Sequence, residues 1–378
     1  MKRILLSTLT LCLFTLGSIA QELALVVEKK EAGYIDKSGE YVIKPQFRKA
    51  DDFSGRYAAA MKDKKWGFID ATGKWVIEPQ YDKAKAFNSG YALVLENKEW
   101  KYIKNTNETL TVPTTDKLFD FNDGVAFIRV DNKIGLIDTK GKTILEPKYV
   151  KIMGFHDGHA KFQDGDAWGI LSKTGKVVVS AEYEEISRYS KSGLWAKKGG
   201  EFGVISNGKF TPISEVEKIW DFTNNSKLTY ARSNGKMGFI NAKGEWIIEP
   251  TYDKARAFNA GLAPVAQGKE WGYIDESGKV VIDFKYRDAE IFSNNGLAPV
   301  KEKKLWGFID KSGKLVIPME YEISIPMFGF IQRGDEKGFV GNTAKVRKKK
   351  QWGFINEKGE VLGKWYRHVG SFVDTSKQ

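Results

Sequence analysis

A glycine returns along this chain at nearly constant intervals, most often inside the phrase Trp-Gly-Phe-Ile-Asp. The markers are Gly33, Gly67, Gly135, Gly169, Gly203, Gly238, Gly272, Gly307 and Gly353, and Lys101 fills the one slot without glycine. The step is 34 residues from 33 to 203, then 35, 34 and 35, and finally 46. A fixed period of this size means one small unit copied in tandem. No copy can bury its own apolar face alone, so each depends on its neighbours. Residues that recur at a slot serve the unit, and few positions are left to report on chemistry.

Each unit reads as three short strands. The first is a run of small and apolar residues such as Leu262 to Gln267, ending in a charged tip (Gly268-Lys269-Glu270). The second carries the tryptophan and glycine, Trp271 to Asp275. An Asp-x-x-Gly turn follows, at Asp36 to Gly39, Asp70 to Gly73, Asp275 to Gly278 and Asp310 to Gly313. Aspartate accepts backbone hydrogen bonds there, and the glycine supplies the left-handed residue that closes a bulged hairpin. The third strand is β-branched, as in Val280-Val281-Ile282, and the proline after it is expected to stop the ladder. Tyr81, Tyr149, Tyr252 and Tyr286 then open a connection to the next unit. The units around Thr109–Phe121 and Phe210–Phe222 are worn, with Thr115 and Ser214 where tyrosine is expected. In the long last step, Gly329–Arg333 reads as a first strand and Lys337-Gly338-Phe339-Val340 as a truncated second one.

Alternation along the second strand puts Trp66, Phe68 and Asp70 on one face and Gly67 and Ile69 on the other. Both faces are apolar, so both are expected to be covered by stacked neighbours. Glycine beside tryptophan implies that a bulky ring or another backbone lies close. The expected fold is therefore all-β: a tandem array of about ten three-stranded antiparallel units of about 34 residues. Ten units exceed the usual four to eight blades of a propeller. An open, curved, solenoid-like stack is thus the leading expectation, with a propeller-like ring or two segments as alternatives.

The unit resembles the WG repeat, also called the KWG repeat, of bacterial proteins. Lys65-Trp66-Gly67-Phe68-Ile69-Asp70 and Trp306-Gly307-Phe308-Ile309-Asp310 carry the resemblance, with the Gly-Lys, Val-Ile-x-Pro and Tyr-x-x-Ala elements behind them. It covers nearly all of the chain after the first twenty residues and implies a β-rich, often exported repeat with no catalytic residues to carry over. Lys101, Ile134, Phe202 and Met237 depart from the pattern.

The first twenty residues read as a secretory signal. Lys2 and Arg3 precede an apolar run from Ile4 to Leu16, and Ser18 and Ala20 stand at the −3 and −1 positions of a cleavage site. The expected divisions are this signal at 1–20, the repeat array at 21–336, and irregular C-terminal units at 337–378 that end and cap the array. Export to the periplasm, cell surface or medium follows from cleavage near Ala20. The one cysteine, Cys12, lies in the signal, so the remainder is expected to fold without disulfides. No later segment is long and apolar enough to be a membrane-spanning helix. The net charge of +12 is spread over every unit. Outside the cytoplasm it suits an anionic surface or acidic polysaccharide rather than nucleic acid.

Candidate sites are few. His156 and His159 fall in a variable loop slot, and His368 stands alone, so no zinc set is read. Asp36, Asp70, Asp138, Asp275 and Asp310 cap turns once per unit. The expected sets of catalytic, cofactor-binding and metal residues are therefore all empty. Trp66-Gly67, Trp168-Gly169, Trp271-Gly272, Trp306-Gly307 and Trp352-Gly353 are read as structural repeat residues, with a row of exposed rings that stacks on sugars as the rival reading. Trp75, Trp195, Trp220, Trp246 and Trp365 are off-register, and Trp75 and Trp246 are candidate ligand contacts. Arg347-Lys348-Lys349-Lys350 reads as a hairpin tip. The functional expectation is a non-enzymatic, exported binding or scaffold surface for an unidentified protein or other macromolecule. A glycan-binding module using aromatic and basic residues is the alternative.

Overall fold

The computed structural model describes residues 21–323 and 337–377. The expected signal at 1–20 and the strand expected at Gly329–Arg333 lie outside the described residues. Every regular element among the described residues is a β-strand. The strands form ten small antiparallel sheets, called blades here in chain order.

Blade two shows the plan. Its strands are Lys49–Ala50, Ala58–Lys62, Lys65–Ile69 and Trp75–Tyr81, hydrogen-bonded in that order. The unit is thus four-stranded rather than three-stranded. The extra member is a two-residue strand from the connection after tyrosine, with Lys49 opposite Met61 and Ala50 opposite Ala60. Two strands of alternating pattern then meet at a two-residue turn, Asp63-Lys64, whose φ angles of 50° and 66° are those of a type I′ hairpin. At the next turn the Asp70 carboxylate accepts from Thr72 N (2.9 Å), Thr72 Oγ1 (2.6 Å) and Lys74 N (3.1 Å). Asp36, Asp138, Asp275 and Asp310 repeat this.

The proline does not end the strand. Trp75–Tyr81 runs through Pro79 because the ladder slips there: Phe68 faces Ile77 while Trp66 faces Tyr81. Two residues on one strand oppose four on the other, and a residue inside such a bulge needs no N–H. The bulge also explains the marker glycine. In blade eight a Cβ on Gly272 would lie 2.5 Å from the Ile282 carbonyl oxygen and 3.0 Å from Phe284 N. The close neighbour is the backbone of the same blade's fourth strand. A ring also comes within 2.8 Å at Gly169 (Phe162) and at Gly203 (Phe210), and at Gly353 the nearest neighbour is the Trp365 ring, at 2.9 Å. The worn units have reduced fourth strands: blade three (Lys83–Ala84, Ala92–Glu96, Glu99–Ile103) has none, and blade six ends in the four-residue Lys209–Pro212.

The core lies between blades. Leu262, Trp271, Tyr273 and Ile282 of blade eight pack with Ala289, Phe292, Val300 and Ile309 of blade nine. Tyr273 donates its hydroxyl to the Glu290 carbonyl of blade nine at 2.8 Å. Phe68 meets Phe87, Phe239 meets Phe258 and Phe308 meets Phe339 at ring distances of 4.6, 4.7 and 5.1 Å. Phe339 therefore takes the slot of Phe87, and Phe339–Val340 is the first strand of blade ten, not a truncated second strand. The extra length of the last step falls between Tyr321 and Phe339.

Closure overturns the open stack. Blade one holds Glu22–Glu28, Glu31–Ile35 and Tyr41–Phe47, and its Glu22–Glu28 strand also pairs with the chain's far end. Val26 faces Val369, Val27 faces His368 and Leu23 faces Val373. Ala24, Val26 and Ile35 pack with Phe354, Tyr366 and Val369. Thr375 Oγ1 donates to the Gln21 carbonyl at 2.7 Å, and Lys364 pairs with Glu28 at 3.0 Å. Each strand pair across this seam replaces an exposed edge, so the array becomes a ten-bladed β-propeller.

Candidate functional site

The repeat tryptophans do not form an open row. Trp271 and Trp306 are buried, while Trp66, Trp168 and Trp352 are half-buried. Cations cover most of them. The Arg256 guanidinium sits 4.4 Å from the Trp271 ring and Lys301 5.5 Å from Trp306. Lys151 lies 5.3 Å from Trp168, and Lys345 lies 5.4 Å from Trp352. Trp75 is half-buried with its ring edge-on to Phe47 at 5.6 Å, and Trp246 packs beside Val204, Ile219 and Phe222. Both stand on fourth strands and neither lines the cavity described next, although Ile219 and Phe222 of the cluster beneath Trp246 do.

That cavity, of about 570 Å³, opens beside the first strands of blades six to eight, at Glu185–Ile186, Val216–Ile219 and Lys254–Ala255. Its chemistry comes from the short segments after those strands. Arg188 and Asp221 hold the same slot in successive blades, each two residues beyond its first strand. Stacking the blades brings Arg188 Nε within 2.9 Å of Asp221 Oδ2. The other oxygen, Asp221 Oδ1, accepts from Trp195 Nε1 at 3.1 Å. Trp220 stacks on Tyr230 at 4.8 Å, and Lys218 Nζ lies 4.8 Å from the Trp220 ring. Burial pushes the Tyr230 hydroxyl up to about 12. Ser190 Oγ donates to Asn224 Oδ1 at 3.2 Å, and Asn224 Nδ2 to Asp157 Oδ2 at 2.6 Å. Thr223 Oγ1 is buried and has no hydrogen-bond partner among the described residues.

This arrangement offers contacts that could hold a ligand. Asp221 is the one carboxylate of the lining, and each of its oxygens accepts from a protein donor, Arg188 Nε and Trp195 Nε1. General acid–base hydrolysis of sugars uses two carboxyl groups facing one bond. Aromatic faces, a guanidinium with free N–H groups and amide and hydroxyl edges instead make a recognition surface. Among the described residues no group of three or more His, Cys, Asp or Glu could hold a metal ion. His156 and His159 face each other across a tight turn, and the His159 ring stacks on Tyr189 at 3.7 Å.

Sequence reasoning singled out Trp195 and Trp220 as off-register but not Arg188 or Asp221. The signal was a change of charge at one repeat slot, Arg188 to Asp221, which makes sense only once the blades stack. Arg347-Lys348-Lys349-Lys350 forms the tip between Thr343–Lys348 and Gln351–Asn356, with Arg347 bonded to Glu322 and Lys348 to Glu320.

The chain is similar in shape to several solved structures. One is a eukaryotic initiation factor, at 9% identity over 94% of this chain and 98% of that one, with a TM-score of 0.48. Another is Kluyveromyces lactis Hsv2, at 9% identity over 62% and 87%, with a TM-score of 0.31. A third is the extracellular domain of a hybrid two-component system from B. thetaiotaomicron, at 11% identity over 90% and 60%, with a TM-score of 0.31. No curated protein matches the chain in sequence. The model of the WG containing repeat matches residues 33–66, 66–100, 134–166, 168–202, 237–271, 271–306 and 306–323. The gaps at 101–133 and 203–236 coincide with the worn units. The repeat model covers more than half of the chain, which belongs to the WG containing repeat family.

Proposed function

We propose that the chain is a non-enzymatic binding propeller, exported after cleavage near Ala20, that holds a protein or other macromolecule on the blade face carrying the cavity at Arg188 and Trp220. The observation that supports this most is the placing of Asp221, the one carboxylate of the lining, whose two oxygens are each bonded to a protein donor, Arg188 and Trp195, with no second carboxyl group beside it in the lining. Affinity capture from intact cells with wild type and with Arg188→Ala/Trp220→Ala tests it. Partners retained by wild type and lost by the variant support the reading. Equal retention by both ends it, as does substrate turnover by the purified chain that Asp221→Asn abolishes with the fold intact.

A second reading, recognition of a glycan, is favoured by Trp195, Trp220 and Tyr230 standing beside Arg188, Asp221 and Asn224. Rings that stack on sugar faces and side chains that bond hydroxyl pairs are the two elements of saccharide binding. A glycan array probed with wild type, Trp220→Ala, Trp75→Ala and Trp246→Ala separates the contacts. Loss of a wild-type signal only in Trp220→Ala assigns the cavity, loss in Trp75→Ala or Trp246→Ala assigns the fourth strands, and no wild-type signal removes the glycan.

A further inference from the structure

Each of the ten blades joins its second and third strands by a two-residue hairpin, and all ten tips lie at the ends of the blades opposite the Asp-x-x-Gly turns and the cavity's loop segments. Ring closure decides which tips are neighbours. Six consecutive blades, running through the seam, carry Gly268-Lys269, Lys303-Lys304, Lys349-Lys350, Lys29-Lys30, Asp63-Lys64 and Asn97-Lys98. That is nine basic residues against one acidic. The other four carry Asp131-Asn132, Gly165-Asp166, Gly199-Gly200 and Asn234-Gly235, with two acids and no base. The basic arc does not exist in the sequence, where Lys349 and Lys30 are at opposite ends.

Backbone conformation says the lysines are there for a reason other than the turn. A type I′ hairpin puts both tip residues at positive φ, which favours Asn and Gly. The neutral arc obeys, with Asn234 at 49° and Gly235 at 72°. The basic arc does not: Lys29 and Lys30 sit at 49° and 74°, and Lys349 and Lys350 at 49° and 66°. A left-handed lysine is strained where glycine is not, and strain of this kind gathers where function holds it. Lys29, Lys30, Lys303, Lys304, Lys349 and Lys350 are all exposed. Among the described residues none of the six is in an ion pair, whereas Lys348 just inside a tip is paired with Glu320.

We propose that this arc docks the propeller on the surface of an anionic phospholipid bilayer, leaving the cavity face turned away from it. The tips all lie at the same end of their blades in a closed ring, so they can meet one surface together. The twelve residues of these six turns include no aromatic ring on which a polysaccharide chain would stack. Exposed ammonium groups can meet lipid phosphates, each contributing a factor of about five in partition near such a surface.

The test is vesicle co-sedimentation of the chain from Gln21, which holds every described strand and lacks the apolar run that would itself enter lipid. Binding is expected to vesicles with about 30 mol % phosphatidylglycerol in phosphatidylcholine and not to phosphatidylcholine alone. It is lost on raising salt from about 0.1 M to about 1 M, where the screening length falls from about 10 to about 3 Å. Lys29→Asn/Lys30→Gly/Lys349→Asn/Lys350→Gly removes four charges and relieves the turns. It is expected to weaken binding by about two orders of magnitude or more while raising the melting temperature. Lys140→Ser/Lys142→Ser/Lys176→Ser/Lys279→Ser removes the same charge from the opposite face and is expected to bind much as wild type. The proposal is overturned if wild type ignores phosphatidylglycerol, if the tip variant binds undiminished, or if both variants lose equally. Complete displacement of vesicles by a uronic-acid polysaccharide at equal charge also overturns it, because that names a different occupant.

Discussion

Replacing the marker glycine of one blade by alanine is expected to damage the fold more than replacing a glycine that merely needs an unusual backbone angle. A Cβ on Gly272 lies 2.5 Å from the Ile282 carbonyl oxygen, 3.0 Å from Phe284 N and 3.1 Å from Asp283 C. Heavy atoms sit comfortably at about 3.5 Å or more, so the fourth strand would have to retreat by about 1 Å. All three obstacles are backbone, held by the bulge that sets Trp271 opposite Tyr286 and Tyr273 opposite Ile282. Overpacking of this kind costs about 1–3 kcal/mol where side chains can adjust; with none to adjust, Gly272→Ala is expected to cost at least about 3 kcal/mol. Gly261 in the same blade has φ of 88° and nothing within 4 Å of a built Cβ. Gly261→Ala thus loses only the left-handed preference, about 1–2 kcal/mol. Gly353→Ala meets the Trp365 ring, which can tilt, and is expected to fall between. Urea unfolding followed by tryptophan fluorescence and far-UV circular dichroism ranks the three. If Gly272→Ala is no worse than Gly261→Ala, the explanation of the repeat's defining glycine is wrong.

Two further outcomes follow from the contacts between blades. Tyr273→Phe strands the buried Glu290 carbonyl and is expected to cost about 1–3 kcal/mol; calorimetry showing no change would remove the hydroxyl from the list of inter-blade fastenings. Alkali is expected to unfold the propeller between pH 10 and 12. Burial holds the hydroxyls of Tyr41, Tyr183, Tyr230 and Tyr366 up to about 12, with neighbouring carboxylates assisting at Tyr41 and Tyr183. The folded state therefore keeps protons that the unfolded chain releases near 10, so stability is intact below pH 10 and falls as pH rises toward 12. Urea midpoints at pH 8, 10 and 11, with tyrosinate absorbance as a second signal, measure this; a constant midpoint contradicts it.

Much of the unit was legible because its signals are local. The 34-residue step, the aspartate-capped turns and the alternation around Trp66 each rest on a few adjacent residues. The two-residue first strand was not, since Lys49-Ala50 is too short to show any period. Pro79 was read as a stop because a proline cannot donate, but a bulge removes the need to donate. Closure stood in the sequence only as the alternative to an open stack, for a deeper reason: a repeat fixes what each unit is, while open or closed depends on a small rotation summed over ten units. Val26 and Val369 meet only at the end of that sum. The cavity inherits the same blindness, because Arg188 and Asp221 are one repeat apart and become partners only when blades stack. The basic arc depends on it entirely.

The closed ring is tested most directly by a cross-link at its seam. The chain from Gln21 contains no cysteine, so Val26→Cys/Val369→Cys places two thiols where the opposing strands meet. The account predicts that mild oxidation of the folded protein consumes both thiols within one chain, with faster migration on a non-reducing gel, and that the same treatment in urea yields little of this product. Thiols that stay free in the folded protein, or that link only one chain to another, would contradict it.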